Sequence, residues 1–359
     1  MKRLLLLKTG AFGDMILVSV SINAVFSIFP GCEIYLLTTS KYAGIYQDCP
    51  LIKKIFSLPS KIDIPGFLKL IRKLRQKKFD IIFDLQGNLK TNFFSFLFGV
   101  NERIGFYKKS AGKLFLTCGI KKKSGTNPID AQILFWEKIA KKSIHGKLQV
   151  WIPEEKKKKL YRYLHQNGLE TKRYIVFHTS ASAKWKTKLW IIENWIALGN
   201  SLARKGFHIV LIGDANSKGT HEKIGQSING KVVNLSGDTD FFQLSLLIEN
   251  AAMLITSDSG PMHIGAAVGT KTVGIFGPTD PLLHCPPSVV AIKAEVDCAP
   301  CYKKRCAHIS CMKAISPDVI MDRVEMMIEK ELNVSFSNEK HSWHSAGRWK
   351  KFQVRAPKA

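Results

Sequence analysis

The sequence lacks a run of apolar residues long enough to cross a membrane, which takes about 20 of them. Residues 15–29 are uncharged, but three serines and an asparagine interrupt them and they end before Pro30. The basic and apolar start, residues 2–7, imitates an export signal until Lys8 and Asp14 break the pattern. The sequence therefore predicts a cytoplasmic protein without a transmembrane helix.

Acidic residues are scarce, with 28 Asp and Glu against 54 Lys and Arg and a formal net charge of +26. The excess lies in residues 1–165, which carry 30 Lys and Arg but only 11 Asp and Glu. Such a field attracts polyanions, which include nucleic acid, an anionic membrane surface and an acidic small substrate. A hydrophobic content of 45% and a mean hydropathy of -0.02 argue against both disorder and a membrane bundle.

The usual phosphate-binding loops are missing. Gly10 and Gly13 follow the apolar run 4–7, but no third glycine completes the dinucleotide pattern G-x-G-x-x-G, and no Walker lysine–serine pair is present. This disfavours an NAD-dependent oxidoreductase. Asp14 would repel a phosphate bound at this turn, so it is either a helix N-cap or, if it faces a substrate, a general base.

Short apolar runs alternate with helix-length segments in both halves of the chain. Continuous apolar runs are typical of parallel strands that are buried on both faces. The predicted strands are 4–7, 33–38, 79–87, 173–180, 207–214, 251–260 and 270–280. The sequence thus predicts an α/β protein with two Rossmann-like parallel-sheet domains, 1–165 and 166–332, facing a central cleft. A basic, loosely ordered tail is expected over 333–359.

The segment after Thr256 is the most informative. Residues 257–260 predict a tight turn, and Pro261 is typical of the first residue of a helix. The free N–H groups and the positive dipole end of that helix suit a diphosphate. Capping by Asp258 and Ser259 is the purely structural alternative.

A second polar cluster follows the predicted strand that begins at residue 173. It supplies the hydroxyls of Thr179 and Ser180 and the ammonium groups of Lys184, Lys186 and Lys188. Groups of this kind stabilise the negative charge that grows on a departing nucleoside diphosphate.

Four of the eight cysteines lie within fourteen residues, at Cys298, Cys301, Cys306 and Cys311. This spacing predicts a structural zinc or iron site in a reducing compartment, with His308 as a spare ligand. The paired C-x2-C modules of a zinc ribbon are absent, so a packing role is the alternative. No catalytic role is expected for these thiols.

Phenylalanines crowd residues 92–98, "NFFSFLF". At helical spacing beside a sheet they predict buried core, and a membrane-dipping helix is the alternative. Attachment to a membrane surface through the lysines stays open.

In this order the segments resemble glycosyltransferase family 9, the ADP-heptose:lipopolysaccharide heptosyltransferases. The likeness extends over about residues 1–325, and its most specific parts are "SDSGPMH" at 257–263 and "GPTDP" at 277–281. The resemblance implies a GT-B fold, with the acceptor held by the first domain and the nucleotide sugar by the second. It also implies heptose transfer with inversion and no metal requirement for catalysis.

The resemblance assigns roles to individual residues. Asp14, on an acceptor-side loop with Gly10 and Gly13, matches the catalytic base, and Lys188 matches the lysine that acts on the diphosphate. The implied donor-binding set is Thr179, Ser180, Lys188, Asp258, Ser259, Gly260, Pro261, Met262 and His263. Two positions depart from the family pattern. The ribose carboxylate is left to Asp214 or Glu222, and Ile191 replaces a proline.

The implied partners are ADP-heptose and the anionic core of lipopolysaccharide, reached in the cytoplasm or at the inner face of the inner membrane. Alternatives are a transferase of the same fold with another nucleotide sugar or acceptor, and a basic nucleic-acid- or metal-binding protein. Nucleic acid is disfavoured because aromatic residues do not interleave with the basic clusters as stacking platforms.

Overall fold

A computed structural model of the chain describes residues 1–58, 63–182, 184–335 and 353–355. The chain divides into two compact units, Met1–Glu154 and Glu155–Ala359. The division falls before the predicted boundary at 165/166, because the polar helix Glu154–Gln166 belongs almost entirely to the second unit. There the Lys156 ammonium lies 3.7 Å from the centre of the Phe242 ring.

The first unit is a six-stranded parallel sheet with flanking helices. Its strands are β1 (Arg3–Leu7), β2 (Glu33–Thr39), β3 (Ile52–Leu58), β4 (Ile81–Asp84), β5 (Glu102–Tyr107) and β6 (Cys118–Lys121), in the order β3-β2-β1-β4-β5-β6. Its helices are α1 (Phe12–Ile16), α2 (Val18–Ile28), α3 (Ser40–Ala43), α4 (Ile64–Gln76), α5 (Leu89–Leu97), α6 (Ser110–Lys113) and α7 (Pro128–Ala140).

The centre of this sheet explains why its sequence does not alternate. Leu4, Leu5, Leu6 and Leu7 are all fully buried, because β1 pairs with β2 on one side and β4 on the other and helices cover both faces. A parallel strand in this position requires apolar side chains at every residue.

The second unit repeats the architecture. Its strands are β7 (Tyr174–His178), β8 (His208–Leu211), β9 (Val232–Asn234), β10 (Met253–Ser257), β11 (Thr272–Phe276), β12 (Val290–Glu295) and β13 (Gln353–Arg355), in the order β13-β12-β11-β10-β7-β8-β9. Its helices are α8 (Glu154–Gln166), α9 (Ile192–Arg204), α10 (Lys218–Gln226), α11 (Phe241–Asn250), α12 (Gly260–Val268), α13 (Pro281–His284), α14 (Ser310–Lys313) and α15 (Pro317–Ser335).

Part of the predicted tail is structured. Residues 333–335 end α15, and β13 pairs with β12 in parallel. The prediction of loose order is therefore wrong for these residues, because the chain continues a helix and then adds a strand at the open edge of the sheet. The rest of 333–359 lies outside the described residues.

Each sheet has a topological switch point, where the order of strands reverses along the chain. It lies between β1 and β4 in the first unit and between β7 and β10 in the second. Loops that leave such neighbouring strands run in opposite directions and open a crevice at their carboxyl ends, where α/β proteins bind ligands. The predicted site residues follow these central strands, except for Lys188, which lies farther along the loop that leaves β7.

The phenylalanine-rich segment forms α5, and the prediction that it is core holds for only part of it. Phe94 and Phe98 are buried against the sheet, whereas Phe93 and Phe96 are exposed. With 3.6 residues per turn, the two pairs occupy different faces of the helix. Among the described residues, no helix combines the length and apolar character that a membrane crossing needs.

Candidate active site

The first-unit site begins with the turn between β1 and α1. Gly10 has a φ of +128°, and a Cβ there would lie 2.6 Å from the Tyr42 ring, so only glycine fits. Asp14 is the third residue of α1 and does not cap it, because the N-cap position is Ala11. Its side chain is 36% exposed. This geometry excludes the N-cap alternative for Asp14 and is compatible with a role as general base.

Lys8 completes this site, and the sequence reasoning missed it. Its ammonium lies 3.3 Å from Asp14 Oδ2 and donates to the Leu85 carbonyl at 3.4 Å. Lys8 is only 5% exposed, because it directly follows the buried strand β1. The sequence feature that could have identified Lys8 is its position at the carboxyl end of an apolar strand. The ion pair holds the Asp14 carboxylate in a defined orientation.

Asp84 organises the neighbouring loop. Its carboxylate accepts hydrogen bonds from the backbone N–H groups of Gln86 and Gly87, both at 3.0 Å, and from Asn92 Nδ2 at 2.7 Å. Gln86 in turn accepts from the N–H of Thr9 at 3.1 Å, so the loop supports the turn that carries Asp14. Burial raises the pKa of Asp84 to about 6, although these hydrogen bonds oppose the shift.

Lys122 adds positive charge near the Asp14 carboxylate. Burial lowers the pKa of Lys122, the charges of Lys8 and Lys108 lower it further, and Asp14 raises it. These interactions place several ammonium groups in the neighbourhood of Asp14. The site is thus suited to a substrate that carries negative charge.

In the second unit, Lys188 and Asp258, which both belong to the predicted donor-binding set, form an ion pair. The Lys188 ammonium lies 2.6 Å from Asp258 Oδ2, and Thr279 Oγ1 donates to the same oxygen at 2.7 Å. Both partners are largely buried, which strengthens the charge interaction relative to a surface pair. Asp258 positions the lysine instead of capping α12.

The N-terminus of α12 is built as the sequence predicts. Ser259 is the N-cap residue, but its side chain makes no capping hydrogen bond. Pro261 and Met262 are buried, and Met262 packs against Phe276. Neither side chain is therefore available to a ligand, whereas Gly260 and His263 are partly exposed.

One imidazole joins two of the predicted donor-site hydroxyls. His178 Nε2 lies 3.1 Å from Ser180 Oγ, and His178 Nδ1 lies 3.0 Å from Ser259 Oγ. The ring thus ties the loop after β7 to the loop after β10. Burial and, to a smaller extent, the charge of His221 lower the pKa of His178 to about 4, so the ring is neutral at physiological pH.

His221 makes the corresponding contact with Thr179, whose Oγ1 lies 2.6 Å from His221 Nε2. His221 Nδ1 contacts Ser236 Oγ at 2.5 Å, and Ser236 donates its own proton to Asn234. Ser236 must then accept from Nδ1–H, which leaves Nε2 to accept the Thr179 proton. Thr179 is also buried, whereas Ser180 is partly exposed, so Ser180 is the hydroxyl better placed to reach a diphosphate.

These buried histidines predict a pH-dependent stability of the second unit. Burial lowers the pKa of His221, like that of His178, to about 4 from an ordinary value of 6.5. Between those pH values the unfolded chain binds more protons, so the free energy of unfolding falls as the pH drops below 6.5. The loss is on the order of 3 kcal/mol per histidine at pH 4.

Hydrogen exchange of the β7 and β10 amides, corrected for intrinsic rates, measures this dependence in the second unit alone. His221→Gln should show a shallower fall than the wild type. A free energy of opening that stays constant from pH 6.5 to pH 4.5 would contradict buried neutral rings. The raised pKa of Asp84 acts in the opposite direction, but it belongs to the first unit.

The two departures from the family pattern have different outcomes. Ile191 precedes α9 with a φ of -66°, which is the value that a proline ring imposes. The chain thus adopts a proline-compatible backbone conformation here without a proline. Asp214 accepts from Ser217 N at 3.1 Å and from its Oγ at 2.9 Å, which caps a short 3-10 helix. Glu222 is exposed on α10. Assignment of either carboxylate to a ribose stays a prediction.

The four clustered cysteines line one pocket and form no disulfide with one another. The residues that line this pocket are Thr187, Pro278, Cys298, Cys301, Lys303, Cys306, His308, Ile309 and Cys311. Thr187 Oγ1 donates to the Lys303 carbonyl at 2.7 Å, so the cysteine loop buttresses the residue before Lys188. Within the described ranges, no three His, Cys, Asp or Glu side chains are arranged to hold a metal ion. Both a metal at these thiols and a packing role for them stay predictions.

A family model described as glycosyltransferase family 9 (heptosyltransferase) matches residues 67–311. The chain belongs to glycosyltransferase family 9. The lipopolysaccharide core heptosyltransferase OpsX of Haemophilus influenzae is 23% identical over 290 residues, which cover 79% of this chain and 82% of that protein. Lipopolysaccharide heptosyltransferase 3 of Escherichia coli is 25% identical over 291 residues, covering 76% and 83%.

Solved structures show the same fold. A glycosyltransferase of family 9 from Veillonella parvula superposes with a TM-score of 0.81 at 20% identity, covering 92% of this chain and 97% of that one. ADP-heptose lipopolysaccharide heptosyltransferase II of E. coli gives 0.75 at 20% identity, covering 92% and 99%. The predicted GT-B class, built from two Rossmann-like parallel-sheet domains, is confirmed.

Proposed function

We propose that this family 9 enzyme transfers heptose from ADP-heptose to the inner core of lipopolysaccharide, with inversion at the anomeric carbon. The observation that carries the proposal is the buried pair of Lys188 and Asp258 beside the N-terminus of α12. Several relatives are lipopolysaccharide heptosyltransferases by name, which supports the choice of sugar and acceptor.

The second unit binds the donor in this proposal. Lys188 and the backbone N–H groups at the start of α12 face the diphosphate, and Ser180 adds a hydroxyl held by His178. Negative charge grows on the diphosphate as its bond to the sugar breaks. A fixed ammonium and a helix N-terminus stabilise that charge without reorganising during the reaction.

The first unit supplies the base. Asp14 accepts the proton from an acceptor hydroxyl while the hydroxyl oxygen forms its bond to the anomeric carbon. The bond from that carbon to the diphosphate breaks on the opposite face, and ADP departs with the electron pair. One displacement of this kind inverts the configuration. No step requires a metal ion, so we propose that the chemistry is metal-independent.

The basic first unit binds the acceptor in this account. Lys8 and Lys122 lie near Asp14, and the predicted domain 1–165 has 30 Lys and Arg against 11 Asp and Glu. The core of lipopolysaccharide is phosphorylated and carboxylated, so this charge serves an anionic saccharide at the cytoplasmic side of the inner membrane. An anionic saccharide acceptor thus accounts for the positive charge of the first unit without a nucleic-acid partner.

The proposal is tested with a panel of ADP- and UDP-sugars, each incubated with the purified chain with and without a heptose-free core lipid. We expect ADP release only from ADP-heptose and only with the acceptor, together with an acceptor heavier by one heptose. Added EDTA should leave the rate unchanged. UDP release from another donor would support a different transferase of the same fold, and metal analysis of the same samples tests the cysteine cluster.

A further inference from the structure

The first unit has an exposed apolar surface that the proposed chemistry does not use. Leu89, Phe93 and Phe96 form a stripe along α5, since they lie at helical spacing and are all exposed. Leu114, directly after α6, is 82% exposed. A soluble protein rarely presents several large apolar side chains so openly without a partner for them.

These side chains belong to elements that contact one another. The Phe93 and Phe96 rings lie 5.2 Å and 5.9 Å from the Phe115 ring, which follows Leu114. On the other side of α5, the Phe94 ring lies 4.5 Å from the Phe67 ring of α4. That side of α5 is buried and separate from the exposed stripe, so we define the aromatic–basic surface by Leu89, Phe93, Phe96 and Leu114.

The charge around this surface is strongly positive. Residues 89–114, which include the surface, contain five Lys and Arg but only one acidic residue, Glu102. The Arg103 guanidinium lies 5.6 Å from the Phe96 ring, and Lys90 lies 5.5 Å from the Phe94 ring. Basic side chains thus flank the exposed apolar stripe, as they do on proteins that lie at a membrane interface.

We propose that the aromatic–basic surface docks on an anionic lipid bilayer. The phenylalanine and leucine side chains enter the boundary between headgroups and acyl chains, and the lysines and arginines bind the lipid phosphates. A second copy of the chain fits poorly, because two such surfaces would bring like charges together. The docking itself does not depend on the proposed function. Only its biological role does, since docking would hold the enzyme beside a lipid-anchored acceptor.

Flotation with lipid vesicles tests the docking without any substrate. The wild type should float with vesicles of phosphatidylethanolamine and phosphatidylglycerol, and far less with phosphatidylcholine or at high salt. Phe93→Ser/Phe96→Ser/Leu114→Ser should lose most of this binding. Each charge removed, as in Lys113→Gln, should weaken it about fivefold. Leu134→Ser is the matched control, because Leu134 is 54% exposed on α7 of the same unit.

Activity then separates docking from catalysis. The triple variant should lose most of its kcat/KM on acceptor embedded in anionic vesicles and keep that on a delipidated core saccharide. Wild-type protein that stays in solution with anionic vesicles, or a triple variant that floats like the wild type, would overturn the proposal. So would a dimer that the triple substitution dissociates, because a second copy would then cover the surface. A wild type inactive on both acceptors but bound to vesicles would overturn only the proposed function.

Discussion

Asp14→Asn is expected to lower kcat by about 10²- to 10⁴-fold and to leave the affinity for ADP nearly unchanged. The amide has almost the shape of the carboxylate but cannot accept the proton of the attacking hydroxyl. In the proposed mechanism Asp14 acts on the acceptor hydroxyl, whereas residues of the second unit bind the diphosphate, so the ADP affinity should not depend on Asp14. Steady-state kinetics and calorimetric ADP titration measure the two quantities separately.

Glu102→Gln is the matched control for this substitution, since Glu102 is an exposed carboxylate of the same unit. It should behave as the wild type in both measurements. Turnover by Asp14→Asn within about tenfold of the wild type would show that another group takes the proton. An equal loss of ADP affinity would instead indicate that the substitution disturbs the fold.

Lys188→Met is expected to raise the donor KM at least tenfold and to lower kcat by about 10²- to 10³-fold. In the proposed mechanism the ammonium contacts the diphosphate in both the bound and the departing state, so both constants should change. The substitution also leaves Asp258 as a buried charge without its cation, which costs about 3–5 kcal/mol of stability. Loss of activity could therefore come from loss of fold.

The double variant Lys188→Met/Asp258→Asn separates these effects. It removes both charges, so its free energy of unfolding should recover most of the loss while its activity does not. Lys186→Met is the control for the ammonium itself, because Lys186 is exposed two residues earlier in the same 3-10 helix. Recovery of activity in the double variant would mean that Lys188 acts only by neutralising Asp258.

Local patterns in the sequence predict the strands and the donor turn well. Continuous apolar runs such as Leu4–Leu7 match buried parallel strands, and Pro261 lies at the start of α12 as expected. These features depend on neighbouring residues, so a short segment contains the information. The pairing of Lys188 with Asp258 also agrees with the family resemblance, which supplied both residues.

Contacts between distant segments could not be predicted in the same way. Lys8 resembles the solvated end of a strand until β4 brings Leu85 beside it, and His178 resembles an ordinary strand residue until β10 brings Ser259 within 3.0 Å. The exposed face of α5 was missed for a related reason. Helical spacing shows that Phe93 and Phe94 lie on different faces, but not that only one face meets the sheet.

A structure of the chain with an unreactive ADP-heptose analogue tests the central claim most directly, through two distances. The account predicts the Lys188 ammonium within about 3 Å of a diphosphate oxygen. It also predicts the Asp14 carboxylate within about 6 Å of the anomeric carbon, which leaves room for one acceptor hydroxyl. A diphosphate bound at the turn of Gly10 and Gly13, or an Asp14 carboxylate more than about 10 Å from the sugar, would contradict it.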